Sequence, residues 1–207
     1  MRMAAAPCIY AAIIMLFATG AVQAAEGDHV AGEDKAVLCQ RCHGKEGMSI
    51  APDCPNLAGQ YSEYIIKQLR DILARKRNDP AMSPMAATIA SEQDMFDIAA
   101  YFASRTKMQG TPAKSENVRG KELYLQGDSA KEISPCLSCH GDDGKGIDNA
   151  PSFFPVIGGQ KKRYLIKQLK DMRDGKRVND LAGIMRNVAK NMTDADIEAV
   201  AEYLSKL

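Results

Sequence analysis

Cys136-Leu137-Ser138-Cys139-His140 and its earlier twin Cys39-Gln40-Arg41-Cys42-His43 are the stretches around which the rest of the chain can be read. Both are Cys-x-x-Cys-His, the attachment pattern of c-type haem. Two thiols three residues apart near a helix start reach the two vinyl groups of one porphyrin. The histidine that follows then faces the iron from the side of the thioether bonds. A dithiol redox pair or half of a zinc site uses the same Cys-x-x-Cys spacing. Zinc needs further thiols or imidazoles at matching spacing, and each half of the chain offers few. The expectation is therefore two covalently bound haem c groups, one on Cys39 and Cys42 and one on Cys136 and Cys139, with His43 and His140 on the irons.

The remaining cysteines do not make a disulfide framework. Of six, four belong to the pentapeptides, Cys8 lies near the N-terminus, and Cys54 is left without a partner. Cys54 reads as a small buried residue or an incidental free thiol. At 207 residues the chain has room for one large or two small domains. Its formal charge of +1 lacks the basic excess of a nucleic-acid protein. Aromatic residues are few and Trp is absent, so a protein-only core would be thin. Covalent haem supplies the apolar centre that such small domains need.

Residues 1–24 read as a secretory signal: Arg2, an apolar run over 9–18, then Val22-Gln23-Ala24. The apolar run is too short for a membrane span. Export to the periplasm, where c-type haem is attached, is the expected location.

After the haem motifs, the strongest signal is an internal repeat. Pro55-Asn56-Leu57-Ala58-Gly59-Gln60-Tyr61 recurs as Pro155-Val156-Ile157-Gly158-Gly159-Gln160-Lys161. Tyr64-Ile65-Ile66-Lys67-Gln68-Leu69-Arg70-Asp71 recurs as Tyr164-Leu165-Ile166-Lys167-Gln168-Leu169-Lys170-Asp171, and Lys76-Arg77 as Lys176-Arg177. Two tandem domains are expected, 25–110 and 111–207, joined near 108–114, where Gly and Pro interrupt the helical periodicity. Opening helices are predicted over 31–42 and 118–126 and amphipathic middle helices over 61–76 and 162–174. Closing helices are predicted to be capped by Ser91 and Thr193. No stretch alternates as a strand, so the class is all-α.

The second axial ligands follow from counting. There are three histidines, and once His43 and His140 are assigned only His29 remains, close to the mature N-terminus. Two bis-histidine haems are impossible, which points to methionine. In the second half Met172 falls within a helix and Met192 abuts the Thr193 cap, leaving Met185 in a loop eight residues before that cap. In the first half Met82 and Met85 compete. A gapless overlay on Lys76-Arg77 favours Met85, whereas the distance to the closing helix favours Met82, which is preferred. Pro55 and Pro155 are expected to offer their carbonyls to the haem histidines, since a ligating imidazole donates its other N–H to such a group. Gly59 and Gly159 would let backbone pass close to the porphyrin.

Cys-x-x-Cys-His-Gly, Pro-x-Leu-x-Gly-Gln, Lys-Gln-Leu-x-Asp and Gly-Lys-Arg together resemble the di-haem cytochrome c4 family, over residues from about 34 to 207. That resemblance implies two class I cytochrome c domains related by a pseudo-twofold axis, with haem propionates facing each other across the interface. It also implies His/Met ligation, matching His43 with Met82 and His140 with Met185. Ala74-Arg75, where Gly is usual before Lys-Arg, and Cys54 depart from the family pattern.

The function expected on this basis is one-electron transport in a respiratory chain, without catalysis by the chain itself. Partners would be redox proteins such as a terminal oxidase, a quinol-oxidising complex or a flavoprotein, with no nucleic acid and no direct membrane span. An alternative is the di-haem subunit of a flavocytochrome c sulfide dehydrogenase-type enzyme. A peroxidase-like catalyst would need an open iron position, against which Met82 and Met185 argue.

Overall fold

The computed structural model describes residues 26–112, 117–147 and 154–207. The expected signal, 1–24, and the last residues of the expected linker lie outside them. The first half runs α1 (His29–Lys35), α2 (Val37–His43), α3 (Ser62–Leu73), α4 (Met82–Ala86) and α5 (Glu92–Ala103). The second runs α6 (Val118–Gln126), α7 (Leu137–His140), α8 (Lys162–Arg173), α9 (Ile184–Ala189) and α10 (Asp194–Leu204). Among the described residues there is no strand, only an isolated bridge between Asp128 and Ile133.

Local chemistry accounts for these boundaries. Ser91 Oγ accepts from the Asp94 N–H at 3.1 Å, and Thr193 forms a reciprocal capping box with Asp196. The predicted opening helix of the first half is two helices, because the backbone leaves helical geometry at Ala36 (φ −82°, ψ 0°). The first predicted middle helix is shorter at both ends, and the second starts at Lys162 as predicted and stops one residue early. Each ends in a residue of left-handed conformation, Arg75 (φ 57°) after α3 and Gly175 (φ 70°) after α8.

Each half is closed by a crossing of its first and last helices at a glycine. A Cβ on Gly32 would lie 2.9 Å from Tyr101 Cβ on α5, and one on Gly120 2.8 Å from Tyr203 Cβ on α10. The two cores repeat this logic. One gathers Ile65, Leu69, Ile72, Ile98, Tyr101 and Phe102; the other gathers Leu123, Tyr124, Leu165, Ile197, Val200 and Leu204. A third, small cluster of Ala58, Met108 and Val156 joins the halves. Gly59 and Gly159 serve this junction. A Cβ on Gly59 would fall 2.7 Å from Lys107 N, and one on Gly159 2.9 Å from Gly110 N. The close approach at both glycines is thus to the connecting chain.

Candidate functional site

The site is built twice. In the first half, α2 carries Cys39, Cys42 and His43, and the chain turns at Gly44 (φ 82°) to bring Pro55 back onto the imidazole. His43 Nδ1 lies 2.8 Å from Pro55 O. In the second half, α7 ends at His140, Gly141 (φ 80°) makes the same turn, and His140 Nδ1 lies 2.9 Å from Pro155 O. Both imidazoles are almost fully buried. Burial pushes both below the ordinary histidine value, against the opposing pull of the proline carbonyls. Each ring is therefore neutral near pH 7, with Nδ1–H donated and the Nε2 lone pair left for a metal.

The buried thiols lack the activation of a catalytic dithiol. Burial raises the Cys39 thiol and lifts Cys136 to about 11, opposite to the activation of a catalytic dithiol. None of the described cysteines is joined in a disulfide. Among the described residues no three His, Cys, Asp or Glu side chains gather as a metal-binding cluster.

The methionines fall in two short helices. Met82 opens α4, half-buried against the core that also takes Cys39. Its N–H donates to Asp79 Oδ1 at 3.2 Å, and the Ser83 N–H donates to Asp79 O at 2.8 Å. Met85, one turn on, is 36% exposed and outside that core. Met185 is half-buried and lies in the first turn of α9, not in a loop. The turn before it passes through Ala182 (φ 49°) and Gly183 (φ 74°), and Asp180 holds it by accepting from Arg186 N (3.0 Å) and Nε (2.7 Å). A cavity of about 430 Å³ is lined by Ile72, Arg75, Arg77, Asn78 and Ser83 and another of about 290 Å³ by Ser134, Ile184 and Val188 among others, and neither is lined by Met82 or Met185. His29 is exposed at the start of α1.

Sequence reasoning missed a buried polar seam between the halves. Arg77 donates to the Tyr164 hydroxyl (3.2 Å) and Gln168 Oε1 (3.3 Å), while Arg177 donates to the Tyr64 hydroxyl (3.2 Å) and Gln68 Oε1 (3.1 Å). Gln60 and Gln160 reach across to the backbone of Val156 and Asn56. The available signal was the repetition of polar residues within otherwise apolar helix faces. Arg77 and Arg177 are buried, and among the described residues Asp79 is the one carboxylate paired to them, 3.6 Å from Arg77. Such a cation-rich interior fits the propionates that haem brings. Cys54 is half-buried, with Sγ 3.4 Å from His43 Nδ1, where the repeat puts Phe154 against His140.

Comparison with known proteins agrees with this geometry. The cytochrome c family profile matches residues 24–106 and 118–207. Cytochrome c4 of Pseudomonas aeruginosa is 40% identical over 196 residues, covering 94% of this chain and 96% of the relative. The chain belongs to the cytochrome c4 family. The crystal structure of reduced cytochrome c4 from Pseudomonas stutzeri superposes with a TM-score of 0.81 at 39% identity, covering 87% of this chain and 99% of that one. A protein named thiosulfate dehydrogenase electron acceptor, from Thiomonas intermedia, is 36% identical over 187 residues, 88% of this chain and 84% of its own. As a cytochrome c4, this is an all-α protein of two tandem cytochrome c domains carrying two covalent haem c groups, and it transfers electrons.

Proposed function

We propose that the chain is an exported, periplasmic one-electron relay of a respiratory chain, its secretory signal 1–24 removed and its domains divided as 25–110 and 111–207. Cys39 and Cys42 would anchor one haem and Cys136 and Cys139 the other. His43 with Met82, and His140 with Met185, would hold the two irons axially. The observation that carries this reading is the pair of buried imidazoles, each fixed through Nδ1 on a proline carbonyl. The haem, once bound, supplies one-electron iron chemistry at a potential raised by thioether ligation. The protein fixes the imidazole tautomer through Pro55 and Pro155. Asp79 and Asp180 anchor the methionine helices. Met82 is favoured over Met85 because it shares the Cys39 core and Met85 faces solvent.

The natural partners of such a relay are a quinol-oxidising complex as donor and a terminal oxidase or reductase as acceptor. A second reading, favoured by the similarity to thiosulfate dehydrogenase electron acceptors, has a thiosulfate-oxidising dehydrogenase as donor. A flavoprotein donor is the third. The ligand assignment is tested by the near-infrared spectrum of the oxidised holoprotein, where each methionine–iron bond gives a weak charge-transfer band. Met82→Ala and Met185→Ala are each expected to remove one band, and Met85→Ala neither. Loss of a band in Met85→Ala would overturn the first-half assignment. Reduction rates with purified thiosulfate dehydrogenase and with a quinol-oxidising complex then separate the donors.

A further inference from the structure

Each haem-side histidine is tied, through a single peptide plane, to a glutamine of the opposite half. His43 Nδ1 bonds to Pro55 O, and the N–H of that same peptide unit, belonging to Asn56, donates to Gln160 Oε1 at 2.8 Å. On the other side His140 Nδ1 bonds to Pro155 O, and the Val156 N–H donates to Gln60 Oε1 at 2.9 Å. The side-chain amides close the exchange in the other direction. Gln160 Nε2 donates to Asn56 O and Gln60 Nε2 to Val156 O, both at 2.9 Å. Gln160 Oε1 also accepts from Lys161 N at 2.9 Å, and Gln60 Oε1 from Tyr61 N at 3.2 Å. With N–H groups on one side and a carbonyl on the other, each amide has one orientation that satisfies its neighbours. Both glutamines are buried.

We propose that these glutamines are cross-wired positioning residues: Gln160 sets the reduction potential of the haem held by the first half, and Gln60 that of the haem held by the second. A peptide whose N–H is accepted by Oε1 carries more electron density on its carbonyl oxygen, because linked hydrogen bonds polarise one another. Pro55 O then draws harder on the Nδ1–H of His43, and the imidazole becomes a more basic ligand. A more basic ligand favours ferric over ferrous iron and lowers the potential of that haem. Removing the glutamine oxygen therefore raises the potential of the haem on the far side of the junction. Glue between domains does not have this signature, since loosening the junction would disturb both haems alike.

The inference rests on His43 and His140 being the axial ligands. The experiment is a potentiometric titration of the holoprotein, each haem assigned by its hyperfine-shifted NMR resonances, for wild type, Gln160→Met and Gln60→Met. Gln160→Met is expected to raise the potential of the first-half haem alone, by a shift equivalent to roughly threefold in the constant for sharing one electron between the haems. Gln60→Met is expected to do the same to the second-half haem alone. A shift on the haem of the mutated half, equal shifts on both, or no shift overturns the proposal. Should loss of both hydrogen bonds prevent folding, Gln160→Glu keeps an acceptor for the Asn56 N–H and adds charge. It is expected to lower the first-half potential, and a rise or an unchanged value overturns the proposal. A wild-type spectrum without two low-spin haems would instead remove the ligand assignment itself, so the two failures are distinguishable.

Discussion

Arg177 Nη2 donates to the hydroxyl of Tyr64 in the opposite half at 3.2 Å, and the repeat makes the same bond in reverse, from Arg77 to Tyr164. Both guanidiniums are buried and bonded mainly to neutral oxygens. Burial alone would push the Tyr64 phenol up. The Arg177 and Arg77 charges outweigh it and hold the phenol below its ordinary value. Tyr64→Phe removes one hydrogen bond and keeps the ring, so it is expected to cost about 1 kcal/mol in chemical denaturation of the holoprotein. Arg177→Leu leaves Gln68, Gln168 and Asn179 short of a donor and is expected to cost about 3 kcal/mol. Equal effects from the two variants would mean that the guanidinium is not what satisfies the seam.

Acid stability should depend on Asp196. Its nearly buried carboxylate accepts from Arg119 (2.7 Å), Lys131 (2.6 Å) and Thr193 (2.7 Å). Desolvation would raise it, but Lys131, Thr193 and Arg119 together hold it well below the usual carboxylate range. A carboxylate depressed by folding stabilises the fold above its unfolded value, near pH ~4, and loses that contribution as pH falls toward the folded value. Asp196→Asn is expected to cost about 2 kcal/mol at neutral pH. The gap to wild type should shrink as pH drops below ~4. A gap that stays constant from about pH 2 to about pH 7 in urea titrations would show that the carboxylate charge is not responsible.

Arg75 occupies a left-handed turn where the repeat has Gly175. Their hydrogen bonds match: Lys76 N and Lys176 N each donate to the aspartate carbonyl of the preceding helix at 2.8 Å. A Cβ at Gly175 would meet nothing within 4 Å, so the penalty at this position is one of backbone conformation and not of space. Arg75→Gly is expected to stabilise the protein by about 1 kcal/mol and Gly175→Arg to destabilise it by a similar amount. Thermal unfolding of the two variants checks the pair, and the same sign for both would exclude the conformational account.

Much of this was legible because covalent chemistry and repetition write themselves in sequence. Cys-x-x-Cys-His, the Ser91 and Thr193 caps and the duplicated Tyr-x-x-x-Gln helix faces are local patterns, and each element they predicted is present. What stayed hidden is non-local. Gln60 meets Val156 and Asn56 meets Gln160 across about a hundred residues of chain, with no spacing rule to announce the pairing. The helical setting of Met185 was likewise obscured, because Leu181-Ala182-Gly183 reads as loop while Asp180 organises the turn after it.

Phe102 and Cys54 illustrate a compensation visible only in three dimensions, and it yields the last prediction. In the first half the aromatic ring beside the histidine comes from the closing helix: Phe102 meets His43 edge-on, with centroids 6.4 Å apart. In the second half it comes from the loop, where Phe154 meets His140 at the same 6.4 Å. Phe102 and Leu204 are equivalent positions, because Gly59 N and Gly159 N donate to their respective carbonyls. Aromatic and small partners have thus exchanged places between helix and loop. Cys54→Phe alone adds a second ring to a filled space and is expected to cost about 2 kcal/mol through overpacking. Phe102→Leu alone removes volume from a fully buried site and is expected to cost about 1–2 kcal/mol. The double variant reproduces the second-half arrangement, so its cost should fall below the sum of the singles by about 1–2 kcal/mol. A strictly additive cycle would mean that Cys54 and Phe102 do not share the space beside His43.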